Sequence, residues 1–239
     1  MRKIRIFCES IPDKDFIELD RENAHYLIDV LRLRQGVSIE VLTPDGSLYE
    51  GYLVKGKGNY LLRGLTSRRK EITKGPIINL FVGAIKGGTF DYALEKASEL
   101  GAYSITPVIC EYSSLRNISA ERIKRFTKIA RSSALQCRRV RPLIVNDAIP
   151  IDEILNKRLD GSNIFLDPFE ECKLLPSNLD FDNPINIFSG PEGGFSRDEI
   201  VKFREKSFYG MSLNTYILRA ETIPLVICSI ILYEYARRV

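Results

Sequence analysis

The stretch FSGPEGGFSRDEI, residues 188–200, places three glycines and a proline between an apolar run and an acid-rich segment. The run Ile185–Phe188 predicts a short buried strand. Ser196 and Glu199 have the spacing of a capping box, which marks the start of a helix. Gly190–Gly194 is therefore predicted to be a shaped loop between a strand end and a helix N-terminus. Ligands of α/β folds bind at such loops.

Strands and helices alternate from residue 77 onward. Apolar runs predict strands at Ile77–Ile85, Ser104–Ile109 and Asn163–Leu166. Between the first two strands, Phe90–Leu100 has helical spacing and is followed by Gly101, a common helix terminator. This βαβ pattern predicts a parallel sheet that is buried on both faces.

The preceding segment, residues 1–70, contains short strands separated by turns. One helix, at about residues 20–31, interrupts them, and the whole pattern is typical of a small β-barrel. The charged stretch 67–75 predicts a linker. The expected domains are therefore 1–70 and 75–239. The predicted strands of the first domain are Ile4–Phe7, Val37–Leu42, Leu48–Val54 and Tyr60–Leu65.

The composition excludes several classes of protein. With 239 residues, of which 44% are apolar, the chain can fill a substantial core. Its longest apolar run, Ile223–Leu232, is shorter than the roughly 20 residues that cross a bilayer. The N-terminus lacks the apolar segment of a signal peptide. Five scattered cysteines favour reduced thiols in the cytoplasm over a disulfide framework or a zinc site.

The net charge of +4 is mild, but the basic residues are unevenly distributed. Residues 122–141 include eight basic residues and no acid. On a helical wheel with about 100° per residue, most of them, including Arg139, lie opposite Phe126 and Ala130. A solvated helix face fits this pattern. A surface that binds a polyanion, with nucleic acid as the candidate, fits equally well because acidic i,i+4 partners are absent.

Two loops of the C-terminal half are the candidates for a functional site. GAIKGGTF, residues 83–90, lacks the spacing of a P-loop, and no dinucleotide fingerprint follows any strand. The single histidine, His25, cannot form a triad with the glycine loop, and no residues have metal-ligand spacing. The remaining candidates are residues 190–194 and 213–222. Glycines allow close approach of the backbone, which suits a flat polar ring such as adenine.

The C-terminal segment Glu221–Tyr235 is apolar on nearly every side. A helix of this kind must be covered all round. A subunit interface could supply the cover.

Two motifs of the C-terminal half resemble a known family. GPEGGFS at 190–196, and LRAET at 218–222 before the apolar terminal helix, are similar to the RsmE family of the SPOUT superfamily. Members methylate N3 of one uridine in 16S ribosomal RNA. The resemblance covers nearly the whole chain, through Arg5–Phe7, His25, Val30–Arg34, Gly36, Lys86–Gly87, Glu95–Lys96, Glu99–Gly101, Gln136–Cys137, Arg139 and Pro142.

This resemblance implies an α/β protein with an N-terminal PUA-like β-barrel and a C-terminal SPOUT domain. The SPOUT domain would contain a deep trefoil knot, bind S-adenosyl-L-methionine and form a homodimer through the terminal helix. The implied partner is 16S rRNA in the small ribosomal subunit, in the cytoplasm, with no metal and no membrane.

The resemblance also implies the site residues. For the cofactor these are Leu166, Gly190, Glu192, Gly193, Gly194, Leu213, Ile217, Leu218 and Arg219. The catalytic candidates are Arg219, Glu221 and Glu192. The candidates for RNA binding are Arg5, Arg32, Arg34, Arg122, Arg125, Lys128, Arg131, Arg138 and Arg139.

The chemistry of the implied reaction constrains these roles. Methyl transfer from a sulfonium is an in-line displacement, so the protein must position two reactants. Uracil N3 must lose its proton, and a nearby cation stabilises the resulting anion. Arg219 fits that cationic role, and a structural pair with Glu221 or Glu192 is the alternative. Glu192 and Glu221 are both candidates for an orienting group or for the base.

The chain departs from the family pattern in two notable places. Gly88 stands where the family often has an acid, and Asn214 stands where it usually has glycine. Asparagine tolerates a positive φ, so Asn214 can form the same turn. Two alternative functions remain open: an RNA-binding assembly factor without activity, and a SPOUT methyltransferase that acts on transfer RNA.

Overall fold

The computed structural model divides the chain into two compact units. The N-terminal unit combines Met1–Ile72 with Ala134–Pro142, and the C-terminal unit combines Thr73–Ser133 with Leu143–Val239. The expected boundaries, 1–70 and 75–239, had placed 134–142 in the second domain. The structure describes residues 3–11, 15–70, 75–85, 88–172, 175–213 and 216–238.

Five strands of the N-terminal unit form one sheet in the order β1-β3-β4-β5-β2. β1 runs parallel to β3, and the other pairs are antiparallel. Their apolar residues, among them Ile6, Ile39 and Leu62, form one buried cluster. The strands are β1 Ile4–Phe7, β2 Phe16–Glu18, β3 Ser38–Leu42, β4 Ser47–Lys55 and β5 Tyr60–Lys70.

Two features of this unit differ from the prediction. The predicted linker begins too early, because β5 continues to Lys70 and pairs there with Ser47 of β4. Backbone pairing with β4 thus extends the strand into the charged stretch; residues 71–74 lie outside the described residues. The single predicted helix is instead the α-helix α1, Arg21–Ala24, followed directly by the π-helical segment His25–Val30.

The C-terminal unit has a seven-stranded sheet whose described pairs are all parallel. The strand order is β12-β10-β11-β6-β7-β8, and β9 also pairs with β7. This confirms the predicted parallel sheet and its four long strands. The strands are β6 Ile78–Gly83, β7 Ser104–Ile109, β8 Ile144–Val145, β9 Ile149–Pro150, β10 Ser162–Leu166, β11 Ile185–Ser189 and β12 Tyr209–Met211.

A row of polar side chains crosses the sheet and fixes the register of its central strands. The Asn79 amide donates to Asn186 (2.9 Å), and the Asn186 amide donates to Asn163 (2.9 Å). The Ser104 hydroxyl donates to Asn79 (2.8 Å). Because burying an unpaired amide is costly, a one-residue slip of any of these strands would be penalised.

Helices flank the strands along the chain. They are α2 Thr89–Glu99, α3 Ala120–Cys137, α4 Ile151–Leu155, α5 Arg197–Glu205 and α6 Ile223–Arg238. The N-cap of α2 is Gly88. None of the described helices combines the length and hydropathy of a membrane span.

The basic helix α3 is shorter than its charge pattern suggested. Phe126 and Ala130 are buried, as the helical wheel predicted. The helix ends at Cys137 because Arg138 has a φ of 69°, which no right-handed helix accommodates. Arg139 therefore lies beyond the helix, and its predicted position on the basic arc of that helix is wrong.

The terminal helix α6 buries one face within the protomer. Ile227, Cys228 and Ile231 are fully buried, and α6 packs against α2 and β6. Val226 and Ile230 are only half-buried, and Tyr233 is exposed. The protomer therefore covers part of the apolar surface that the sequence predicted to be covered on all sides.

Candidate functional site

Three loops of the C-terminal unit meet at one edge of its parallel sheet. β12, β10 and β11 are neighbours and run parallel, so their carboxyl ends lie side by side. The loops that leave these ends begin at Asp167, Gly190 and Ser212. They enclose a cleft of about 860 Å³. Open parallel sheets bind their ligands at this edge.

The capping box predicted at the start of α5 is present. The Ser196 hydroxyl accepts from the Glu199 N–H (3.3 Å), and Glu199 Oε2 accepts from the Ser196 N–H (2.8 Å). The second carboxylate oxygen of Glu199 accepts from the Glu111 N–H (2.8 Å). Because Glu199 is buried, its charge offsets the positive end of α5 from inside the protein.

The glycine loop needs glycine at two positions for different reasons. Gly194 has a φ of +74°, in the left-handed region that side chains disfavour, and its N–H donates to the Pro191 carbonyl (2.9 Å). A Cβ at Gly190 would lie 2.9 Å from the Gly194 carbonyl carbon. The loop therefore folds back on itself and presents backbone to the cleft.

The structure brings together every residue that the resemblance implied for the cofactor. They come from the end of β10, the glycine loop and the loop before α6. All of them line the cleft: Leu166, Gly190, Glu192, Gly193, Gly194, Leu213, Ile217, Leu218 and Arg219. Asn214 and Lys86–Gly87 lie outside the described residues.

The three catalytic candidates line the same cleft. The Arg219 side chain is 87% exposed, and its Nη1 lies 3.9 Å from Glu221 Oε1. That distance allows an ion pair but exceeds a hydrogen bond. Glu192 is exposed. Arg219 is thus loosely paired with Glu221 and accessible to a ligand.

Sequence reasoning missed several residues of the cleft. Asp167 lines it and is only 6% exposed, and burial raises the pKa of its carboxyl group. Phe169, which is 85% exposed, and Tyr112 also line it. Asp167 directly follows the predicted strand that ends at Leu166, so its position at a strand end was the available signal.

The basic residues of α3 have different surroundings. Arg125 is ion-paired with Asp91 of α2. The Arg122 guanidinium carbon lies 5.5 Å from the centre of the Phe126 ring, a cation–π contact. Lys128 is exposed and Arg131 is half-buried.

The basic residues of the N-terminal unit also divide into two groups. Arg5 is ion-paired with Glu40 (2.9 Å), and its side chain is only 7% exposed. Arg138 binds the same carboxylate (2.9 Å). Both residues therefore hold this unit together, whereas Arg32 and Arg34 are exposed. Arg139 is half-buried, and its carbonyl accepts from Arg5 (3.2 Å).

In the part of the chain that the structure describes, no three His, Cys, Asp or Glu residues are grouped so that they could bind a metal ion.

Comparison with known proteins places the chain in a family. Residues 73–232 match the model of the RNA methyltransferase domain. Ribosomal RNA small subunit methyltransferase E 2 of Borreliella burgdorferi is 31% identical, with 93% of each chain covered. Ribosomal RNA small subunit methyltransferase E of Rickettsia conorii is also 31% identical, with 93% of this chain and 92% of that protein covered.

A solved structure has the same fold. Ribosomal RNA small subunit methyltransferase E of Neisseria gonorrhoeae, bound to S-adenosyl methionine, superimposes with a TM-score of 0.87 over 98% of both chains at 24% identity. The matched domain, the relatives in sequence and this shared fold agree: the chain belongs to the RNA methyltransferase family of ribosomal RNA small subunit methyltransferase E.

Proposed function

We propose that this protein transfers a methyl group from S-adenosyl-L-methionine to N3 of a uridine in the 16S rRNA of the small ribosomal subunit. The observation that carries the proposal is the cleft at the carboxyl edge of the parallel sheet. It gathers all the residues implied for the cofactor and the catalytic candidates into one site. Membership of the family supports the reaction class.

The lining of the cleft suits S-adenosylmethionine. Its volume of about 860 Å³ falls within the range of sites for small molecules. The glycine loop offers backbone groups to a flat polar ring, and the aliphatic residues Leu166, Leu213 and Leu218 offer apolar contact. Carboxylates of the lining complement a cation. When bound, S-adenosylmethionine supplies a methyl group on a sulfonium.

The residues of this chain must then prepare the uracil. Arg219 stabilises the anion that forms when N3 loses its proton, because a cation beside a developing negative charge lowers the barrier. Its loose pairing with Glu221, at 3.9 Å, leaves the guanidinium able to turn toward a base. Glu221 orients Arg219, and either Glu221 or Glu192 receives the proton.

RNA contacts involve both units in our proposal. The N-terminal unit is a PUA-like β-barrel that contacts RNA through Arg32 and Arg34, whereas Arg5 and Arg138 bind Glu40. α3 contributes Arg122, Arg125, Lys128 and Arg131 as phosphate contacts. Single-stranded RNA lets a base leave its stack, which methylation of N3 requires.

The proposed assembly is a homodimer of chains with domains 1–70 and 75–239, in which the second domain is a SPOUT fold with a deep trefoil knot. The parallel sheet of the C-terminal unit and the matched RNA methyltransferase domain support an α/β methyltransferase fold for the second domain. Half-buried apolar residues of α6, such as Val226 and Ile230, support an interface there. A cytoplasmic location is part of the proposal and is supported by the relatives that are named ribosomal RNA small subunit methyltransferases.

Methylation of isolated substrates tests the proposed reaction. The protein is incubated with methyl-labelled S-adenosylmethionine and small-subunit particles that lack the modification. Label is expected in 16S rRNA. Cofactor binding without label in any RNA would favour an inactive assembly factor, and label in transfer RNA would favour the alternative substrate.

A further inference from the structure

Asp167 is a buried acid in the wall of the cleft, and its position is fixed by hydrogen bonds. Its backbone N–H donates to the Met211 carbonyl (3.1 Å), which ties the end of β10 to β12. Its Oδ1 accepts from the Phe169 N–H (2.8 Å). The carboxyl group is therefore held where β10 ends, among the residues that line the cleft.

The surroundings of Asp167 leave its charge largely uncompensated. Burial is the largest influence on its pKa and raises it, and Glu170 acts in the same direction. Arg204 of α5 and the Phe169 N–H lower the pKa, but Arg204 itself binds Glu170 at 2.7 Å. The ion pairs between described residues do not include Asp167. The other charged residues of the lining are Glu192, Arg197, Arg219 and Glu221.

A cationic ligand would stabilise such a carboxylate. A buried ionised acid is costly unless a positive charge lies beside it. S-adenosylmethionine has a sulfonium, whereas the demethylated product has a neutral thioether at the same place. The two molecules are otherwise alike, so an acid beside the sulfur distinguishes them by charge alone.

We propose that Asp167 supplies the negative charge that faces the sulfonium and makes the cleft prefer the methyl donor to the demethylated product. This inference rests on the proposed function, because it assumes S-adenosylmethionine in this cleft. Loss of the sulfonium charge on methyl transfer would weaken the attraction and promote release of the product.

Calorimetry with the Asp167→Asn variant tests the inference. Asparagine keeps an oxygen that can accept from the Phe169 N–H, so the turn is retained while the charge is removed. The Kd for S-adenosylmethionine is expected to rise at least about tenfold, or about 1.4 kcal/mol. The Kd for the thioether product should change by less than about threefold, or about 0.7 kcal/mol. An analogue with a protonated amine in place of the sulfonium should follow the methyl donor.

Asp198→Asn is the matched control. Asp198 is an exposed acid in the first turn of α5 and is not part of the cleft lining. Removal of its charge should change both Kd values by less than about twofold, or about 0.4 kcal/mol. A similar effect of both substitutions would indicate a general electrostatic effect of acids near the cleft, and would overturn a specific role of Asp167.

A pH titration of the wild-type protein gives a second test that does not depend on a variant folding. A bound cation favours the ionised acid, so affinity for S-adenosylmethionine should rise with pH through the pKa of Asp167 in the free protein. The preference for S-adenosylmethionine over the product should therefore decrease as the pH falls through that pKa, which burial raises above the ordinary value of an aspartate. Asp167→Asn should flatten this dependence even though Glu192 and Glu221 remain.

Two results would overturn the inference while the proposed function stands. One is equal weakening of donor and product by Asp167→Asn. The other is an unchanged affinity of Asp167→Asn for both molecules. If that variant also turned over slowly, Asp167 would act on the uracil and not on the cofactor. Failure of the wild-type protein to bind S-adenosylmethionine would instead contradict the proposed function itself.

Discussion

Gly194 shows how one residue can shape the proposed cofactor site. Its φ of +74° lies in the left-handed region, and a Cβ there would meet no atom within 4 Å. Backbone conformation, not space, therefore demands glycine. A β-branched residue at this position must either strain or flip the loop that presents backbone groups to the cleft.

Gly194→Val is expected to abolish binding of S-adenosylmethionine while the protein remains folded. The strain should cost about 1–3 kcal/mol of stability. Calorimetry and thermal unfolding make the measurement. The control is Gly101→Val, at a glycine with a φ of +81° in equally open space after α2. It should cost similar stability and leave binding intact, and normal binding by Gly194→Val would disprove the role of the loop.

Arg219→Ala is expected to reduce turnover far more than cofactor affinity. A group that stabilises charge only in the transition state contributes about 10²–10³ to the rate. Single-turnover methylation and calorimetry separate the two effects. Arg219→Lys, which keeps a cation, should recover part of the rate. Methylation at the wild-type rate by Arg219→Ala would show that Arg219 has only its loose contact with Glu221.

Asp167 is a residue of the cleft that could not be predicted from the sequence. The glycine loop pointed to the cleft because it lies between a strand end and a capped helix start, and the LRAET motif pointed to it through the family resemblance. An acid after a strand is common, and its burial depends on how the loops after β10 and β12 pack together. That packing is a tertiary property without a local pattern.

Secondary-structure elements were predicted where their pattern is long or strongly punctuated. The four long parallel strands, α2 and the capped start of α5 follow from apolar runs and helix-end signals. β2, β8, β9 and β12 contain only two or three residues, too few to show a period. The π-helical turn at His25–Val30 also has no separate signal, because its residues suit an ordinary helix.

The basic face of α3 supports a prediction about RNA. Arg125→Ala combined with Lys128→Ala should weaken binding about equally for all RNA sequences. Each lost phosphate contact should reduce the slope of log affinity against log salt by about 0.7–0.9. Fluorescence anisotropy at several salt concentrations gives the slope.

The matched control removes the same charge from α5. Lys202→Ala combined with Lys206→Ala removes two exposed lysines from the C-terminal end of α5. It should leave the salt slope unchanged. Equal slopes for the wild-type protein and the α3 variant would mean that this face of α3 is merely solvated.

At the scale of the whole molecule, the half-buried apolar side of α6 is a surface that the protomer covers only in part. A two-fold interface brings the same patch of both copies together and does not tolerate an introduced charge. Ile230→Glu should therefore give monomers or insoluble protein, as measured by light scattering after size-exclusion chromatography. Val201→Glu, at an exposed apolar residue of α5, is the control and should leave a soluble dimer. A soluble, active dimer of Ile230→Glu would exclude this packing.

The overall organisation was predictable only in part. Local periodicity separates a strand-rich N-terminal segment from an alternating C-terminal one. It cannot show that Ala134–Pro142 joins the N-terminal unit, where Val140 packs with Leu42 and Leu48. It also cannot reveal how the chain threads through itself, so the proposed trefoil knot depends on family resemblance alone.

Mapping the methylated nucleotide tests the proposed function itself. The protein, methyl-labelled S-adenosylmethionine and small-subunit particles lacking the modification are combined, and the labelled nucleoside is identified and located in the RNA. Transfer RNA is offered in a parallel reaction. We predict label at N3 of a single uridine of 16S rRNA and none in transfer RNA. Label on another atom or in transfer RNA, or cofactor binding without any transfer, would contradict the proposal.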